Sequence, residues 1–164
     1  MTLFVRMMSM KKCIRLPVVR VSNLQSKHSI RVTQIQKLTE TILKVLRQRK
    51  ELHVAMVSDS QIKKINKTFH AQNKPTDVLA FEAPRFSAPN FLGEVIVSVD
   101  RARVYSKRFQ ATHDEELMRY VIHGMLHLLG ERDHKESVRK KMFEKQERLL
   151  KLISPIPKLV VRKT

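Results

Sequence analysis

Leu52-His53-Val54-Ala55-Met56-Val57 runs straight into Ser58-Asp59-Ser60, and that junction decides the fold class. A short, almost wholly apolar run fits a buried strand better than a helix. The Ser-Asp-Ser that follows supplies good helix caps, and Ile62, Ile65 and Phe69 then recur at three- and four-residue spacing. Strand running into helix is the signature of an α/β chain. Upstream, Ile35, Leu38, Ile42, Val45 and Leu46 stripe one face of a helix predicted over 30–46, with Lys37, Lys44 and Arg47 outside. Pro17 precedes a β-branched run that predicts a first strand over 18–22. Downstream, 76–81 and 92–98 read as strands on either side of a proline-bearing loop over 83–90. A short basic helix is predicted over 100–109 with Ala102 and Tyr105 inward, and Thr112 with Glu115 forms a capping box that opens the next helix. A last amphipathic helix is predicted over 136–153, with Val138, Met142, Leu149 and Leu152 on its apolar side and Pro155 and Pro157 to stop it. The expected fold is α/β (α+β), a small mixed sheet of about four strands packed with about five helices.

With 164 residues, 42% of them hydrophobic, the chain can bury one core and hardly two. A single catalytic domain is expected over 18–153, between a basic N-terminal tail over 1–17 and a C-terminal tail over 154–164. The N-terminal segment lacks the apolar centre of a secretory signal, and Met7, Met8 and Met10 each offer an alternative start. No apolar run approaches the roughly 20 residues of a membrane span, so no membrane partner is expected. The lone Cys13 cannot form an internal disulfide, which fits a reducing, cytoplasmic setting. No motif specifies an oligomeric state.

Charge is the strongest compositional signal. Thirty-three Lys and Arg against fifteen Asp and Glu give +18, far beyond what solubility needs. The excess flanks a near-neutral middle: residues 1–50 carry 12 basic and 1 acidic side chains, 51–100 carry 5 and 6, and 101–164 carry 16 and 8. A polyanion, nucleic acid first, is the expected partner. With no tryptophan and two tyrosines, contact with the phosphate backbone is expected over base stacking.

The chemistry lies in Tyr120-Val121-Ile122-His123-Gly124-Met125-Leu126-His127-Leu128-Leu129-Gly130-Glu131-Arg132-Asp133-His134. Two imidazoles four apart on a helix share one face and can bind one ion. Gly130 supplies a left-handed helix end that turns the chain back, so that His134 can return as a third ligand and leave the fourth tetrahedral position to water. That is the ligand pattern of a catalytic zinc, one ion per chain. Gly124 sits mid-helix, where glycine costs about 1 kcal/mol relative to alanine, which implies a close approach to that backbone. The spacing is similar to that of metzincin peptidases, but Gly124 stands where their glutamate base would be. Zinc chemistry with a basic surface and no such base points to a phosphodiester substrate.

These residues resemble the YbeY-type single-strand-specific endoribonucleases, whose hallmark is an HGxxHLxGxDH-like motif. Ile65-Asn66-Lys67-Thr68-Phe69-His70, then Lys74-Pro75-Thr76-Asp77-Val78-Leu79-Ala80-Phe81, resembles that family's LNxxYR…PTDVLSF block, and Leu92-Gly93-Glu94-Val95-Ile96-Val97-Ser98 resembles its LGDIVIS strand. The resemblance covers roughly 18–153. It implies a small mixed sheet, a zincin-like ligand helix, a zinc held by His123, His127 and His134, and a hydrolase acting in rRNA processing, ribosome biogenesis and quality control, with rRNA and ribosomal particles as partners.

Two positions depart from the family. Its third histidine usually falls ten positions after the first; here Asp133 holds that place and His134 comes eleventh, so either a bulge after Gly130 delivers His134 or Asp133 becomes the ligand. Imidazole favours His134. His70 stands in place of the family's arginine, and Lys74 could replace the charge but not the two-pronged geometry. His70 and Lys74 are the side-chain candidates for catalysis beside water on the metal. Asp77, Glu94 and Glu131 are equally consistent with structural roles, and His28, His53 and His113 read as surface or structural. The alternative function is a non-catalytic ribosome-associated assembly factor with a structural metal.

Overall fold

The computed structural model describes residues 16–162 apart from Arg85, Ser87 and Asp133. Residues 1–15 of the expected N-terminal tail lie outside the described residues. The elements run β1 (Val19–Asn23), β2 (His28–Ile30), α1 (Val32–Val45), β3 (Glu51–Val57), α2 (Asp59–His70), β4 (Val78–Glu82), β5 (Phe91–Ser98), α3 (Val99–Arg108), α4 (His113–Leu128), α5 (Glu136–Leu152) and β6 (Val160–Arg162).

The decisive strand is β3. It lies between β1 and β5, parallel to both, and β4 closes the order β1-β3-β5-β4 antiparallel to β5, the mixed sheet that was expected. Side chains alternate across it. Val54 and Met56 of β3, with Val95 and Val97 of β5, enter the larger core shared with α1, α4 and α5. Ala55, Val57 and Ile96 point the other way, onto Ile62 of α2. Burial on both faces is why the second half of β3, Val54-Ala55-Met56-Val57, carries no polar residue.

Helix α4 runs through the centre of the larger core. Its capping box forms as predicted: Glu115 N–H donates to Thr112 Oγ1 at 3.1 Å, and Thr112 N–H to the Glu115 carboxylate at 2.9 Å. Leu117, Met118, Val121, Ile122, Met125 and Leu126 are fully buried. A Cβ on Gly124 would lie 2.5 Å from Val95 Cγ1 and 3.0 Å from Val78 Cγ2. The sheet itself is therefore the close neighbour that the mid-helix glycine implied, and α4 rests directly on β4 and β5.

Three expectations are revised. Ile30 belongs to β2, not to the following helix, because His28–Ile30 pairs antiparallel with β6. The C-terminal segment expected as a tail contains β6 and the fully buried Leu159. It is fastened to the start of α4, where Asp114 Oδ1 accepts from the N–H groups of Leu159 and Val160, each at 2.8 Å. Three-residue strands are too short to leave a periodic pattern. On α5 the buried face carries Gln146 and Leu150 beside Met142 and Leu149, and Leu152 is exposed. Among the described residues no helix is long and apolar enough to cross a membrane.

Candidate metal centre

The two histidines of α4 meet as their spacing requires. His123 Nε2 and His127 Nε2 are 3.0 Å apart, with the rings at 80° to one another. Each Nδ1 is held from behind, His123 by Gln146 Oε1 of α5 at 2.9 Å and His127 by the Glu131 carbonyl at 3.1 Å. That carbonyl is delivered by the helix end. Gly130 has φ +90°, its N–H bonds the His127 carbonyl, and the Glu131 N–H bonds the Leu126 carbonyl, both at 3.0 Å, a Schellman turn.

This arrangement fixes the protons. A carbonyl oxygen only accepts, so His127 Nδ1 donates and its neutral ring presents a lone pair at Nε2. Gln146 gives its Nε2 to Glu147 Oε1 at 3.3 Å, leaving its oxygen to accept from His123 Nδ1. The two Nε2 atoms thus meet at 3.0 Å, a spacing at which they can share one proton or one cation. Two nitrogens bound to one tetrahedral zinc at 2.0–2.1 Å would stand roughly 3.3 Å apart, so the pair fits a zinc-type ion. Hydrogen-bonded acceptors behind ligating imidazoles are the usual companions of such sites.

The third position is placed differently. His134 is exposed, and among the described residues no three His, Cys, Asp or Glu side chains gather as an ion site. Asp133, the other candidate, lies outside the described residues.

The pair opens on a cavity of 310 Å³ that is also lined by Thr76, Asp77, Arg119, Tyr120 and Gln146. Burial pushes the Asp77 carboxyl above the ordinary aspartate range, with Arg101 and His123 opposing and Asp59 adding to the rise. It therefore keeps a proton more readily than a surface aspartate. Arg119 is clamped. Its Nε and Nη2 donate to Glu147 at 2.8 and 3.2 Å, and its Nη1 to Glu116. Burial raises the Glu147 carboxyl, yet the bonds from Arg119 and Gln146 and the guanidinium charge bring it below the ordinary range.

His70 and Lys74 are exposed and do not line this cavity. The His70 ring stacks on Phe81 with centroids 6.0 Å apart, and the Lys74 carbonyl accepts from Asn66 Nδ2 at 2.9 Å. Glu131 Oε1 is taken by Lys145 at 2.6 Å. Glu94 sits mid-strand opposite Phe81 and His53. His28 is buried, His53 bonds Glu51 at 3.0 Å, and His113 bonds the Val99 carbonyl at 3.0 Å.

Sequence reasoning missed Gln146, Arg119 and Tyr120. Gln146 had a signal, a lone amide in the stripe Met142, Gln146, Leu149, Leu150. Arg119 and Tyr120 had none, because their partners Glu147 and Asp77 arrive from other elements.

The chain is similar to known proteins over most of its length. The family model described as Endoribonuclease YbeY matches residues 20–154. An endoribonuclease YbeY of Acholeplasma laidlawii is 35% identical over 118 residues, covering 72% of this chain and 85% of that protein. One from Aquifex aeolicus is 34% identical over 123 residues, covering 74% and 82%. The solution structure of a Thermotoga maritima protein superposes with a TM-score of 0.61 at 30% identity, over 83% of this chain and 89% of that one.

Proposed function

The chain belongs to the YbeY endoribonuclease family, and from that membership we propose that it is a zinc-dependent, single-strand-specific endoribonuclease. Its setting is the cytoplasm, its substrate rRNA in ribosomal particles, and its task rRNA maturation and ribosome quality control. The observation that carries this reading is the pair of imidazole Nε2 atoms 3.0 Å apart on the wall of a cavity that also holds Asp77, Arg119 and Gln146. His123, His127 and His134 would hold one zinc, which when bound supplies a Lewis acid for the phosphodiester and lowers the pKa of water.

The chain's own groups then have separable tasks. Gln146 and the Glu131 carbonyl hold the Nδ1 protons and so keep both Nε2 atoms available. Arg119, fixed by Glu116 and Glu147, keeps a positive group on the cavity wall for a phosphate oxygen. Asp77, whose carboxyl burial lifts above the ordinary aspartate range, is a cavity carboxyl suited to proton transfer. The net charge of +18 draws RNA to the surface.

His127→Ala tests the reading. Cleavage of a labelled single-stranded RNA oligonucleotide should fall at least about a hundredfold, with the circular dichroism spectrum retained; cutting at the unaltered rate would refute it. A second reading, an assembly factor with a structural metal, draws support from His70, which replaces the family's arginine and stacks on Phe81 outside the cavity. In that case the unaltered protein binds ribosomal particles and cuts no RNA.

A further inference from the structure

A second cavity of 380 Å³ adjoins the metal-centre cavity and shares Asp77, Arg119 and Tyr120 with it. Its remaining wall joins three aromatic rings, Tyr105 of α3, Phe109 at the cap of that helix and Phe143 of α5, to Ala111, Glu116 and Glu147. We propose that it is a subsite for one unpaired nucleobase of an RNA strand whose backbone lies at the histidine pair. This inference rests on the endoribonuclease reading above and adds to it where a base is held.

Three features of the cavity argue for a base. Phe109 and Phe143 are 63% and 56% exposed, and two large rings left in water beside one cavity offer faces on which a planar ligand can stack. The Tyr105 and Phe109 rings lie within 14° of parallel, with centroids 6.0 Å apart, and the Arg108 guanidinium stands 5.8 Å from the Phe109 centroid, a stacking platform with a cation at its rim. The Tyr120 side chain is 7% exposed, and its buried Oη makes no hydrogen bond of ordinary geometry, with the Glu116 carboxylate as its neighbouring acceptor. A buried hydroxyl in that condition carries a desolvation cost that a polar ligand edge would remove.

A nucleobase meets these demands, since it brings a π-face for the rings and donor and acceptor edges for the hydroxyl. An aliphatic side chain would cover the rings and offer no polar edge to Tyr120 Oη. The shared wall supplies continuity, because a strand placed with a phosphodiester at the histidines has an adjacent base at the aromatic cavity. Composition did not disclose this site. It holds no tryptophan, and the four rings come from three helices.

The test uses the full chain, a fluorescent six-nucleotide single-stranded RNA with chelator present, and a set of the same RNA with one base at a time removed. In the unaltered protein, removal of the base at one position should weaken binding about tenfold. The Phe109→Ala/Phe143→Ala double variant should bind the intact RNA about tenfold less tightly and lose that position's dependence on the base. Phe109→Tyr/Phe143→Tyr should restore both, which a merely misfolded surface would not do. A 2-aminopurine at that position should be quenched by the unaltered protein and bright with the alanine variant. Equal affinity of the alanine variant, or equal base-removal costs in both proteins, overturns the subsite. So does a double substitution that changes only the sedimentation of the protein, which would assign the rings to a contact between chains. If the unaltered protein still cleaves RNA in those cases, the endoribonuclease reading stands without the subsite; if it neither binds nor cleaves RNA, both fall.

Discussion

Gly124 and Gly130 lie six residues apart on one motif and answer to different physics. At Gly124 the backbone is helical and a side chain would strike Val95 and Val78 at 2.5 and 3.0 Å. Alanine there should gain about 1 kcal/mol of helix propensity and lose more, about 1–3 kcal/mol, to overpacking against the sheet. Gly124→Ala is therefore expected to lower the thermal midpoint; an unchanged or raised midpoint would mean that α4 does not rest on β4 and β5 as described. The glycine's role as a point of close approach was legible in the sequence, because a helix former is absent where helix is required. What approaches it was not, since Val78 and Val95 are tens of residues away in the chain. The same holds for the histidines. Their shared face follows from four-residue spacing, whereas Gln146 behind His123 is visible only once α5 is docked on α4.

At the scale of elements, the end of α4 shapes the candidate metal centre as much as the histidine pair does. A Cβ on Gly130 would meet no atom within 4 Å, yet the residue has φ +90°, so Gly130→Ala is a purely conformational change costing about 1–2 kcal/mol. It should also loosen the turn that presents the Glu131 carbonyl to His127 Nδ1. The expected result is a modest loss of stability with a larger loss of bound zinc, read by calorimetry and by competition with a chromogenic chelator. Loss of stability with zinc affinity intact would separate the turn from the site. The long helices and the central strands β3 and β5 were legible because three- and four-residue spacing and continuous apolar runs leave strong patterns. The β2–β6 pair was not. Its strands are three residues each and join the two ends of the domain, so Ile30 was assigned to a helix and Leu159 to a tail.

For the whole molecule, that β2–β6 joint brings a pH dependence. His28 is buried on β2 with its ring 6.0 Å from His113, and its Nδ1 has no hydrogen-bond partner. Burial first, and the neighbouring His113 second, push its pKa below the ordinary histidine value. The folded chain therefore takes up a proton less readily than the unfolded one, so this stability is present above the unfolded pKa of about 6.5 and is lost as pH falls through the lower folded value. The thermal midpoint should drop between pH 7 and pH 5, and His28→Gln should shrink that drop; an identical pH profile for the variant would remove His28 as the cause. The charge of +18 was plain from composition and pointed to a polyanion, but only the fold joins the two imidazoles of α4 to Asp77, Arg119 and Gln146 in one cavity. The most direct test of that centre is cleavage of a single-stranded RNA oligonucleotide by the purified chain before chelation, after it, and after stoichiometric zinc is returned. Cutting that stops and then resumes is the predicted result, and cutting that continues at full rate in metal-free protein would contradict the account.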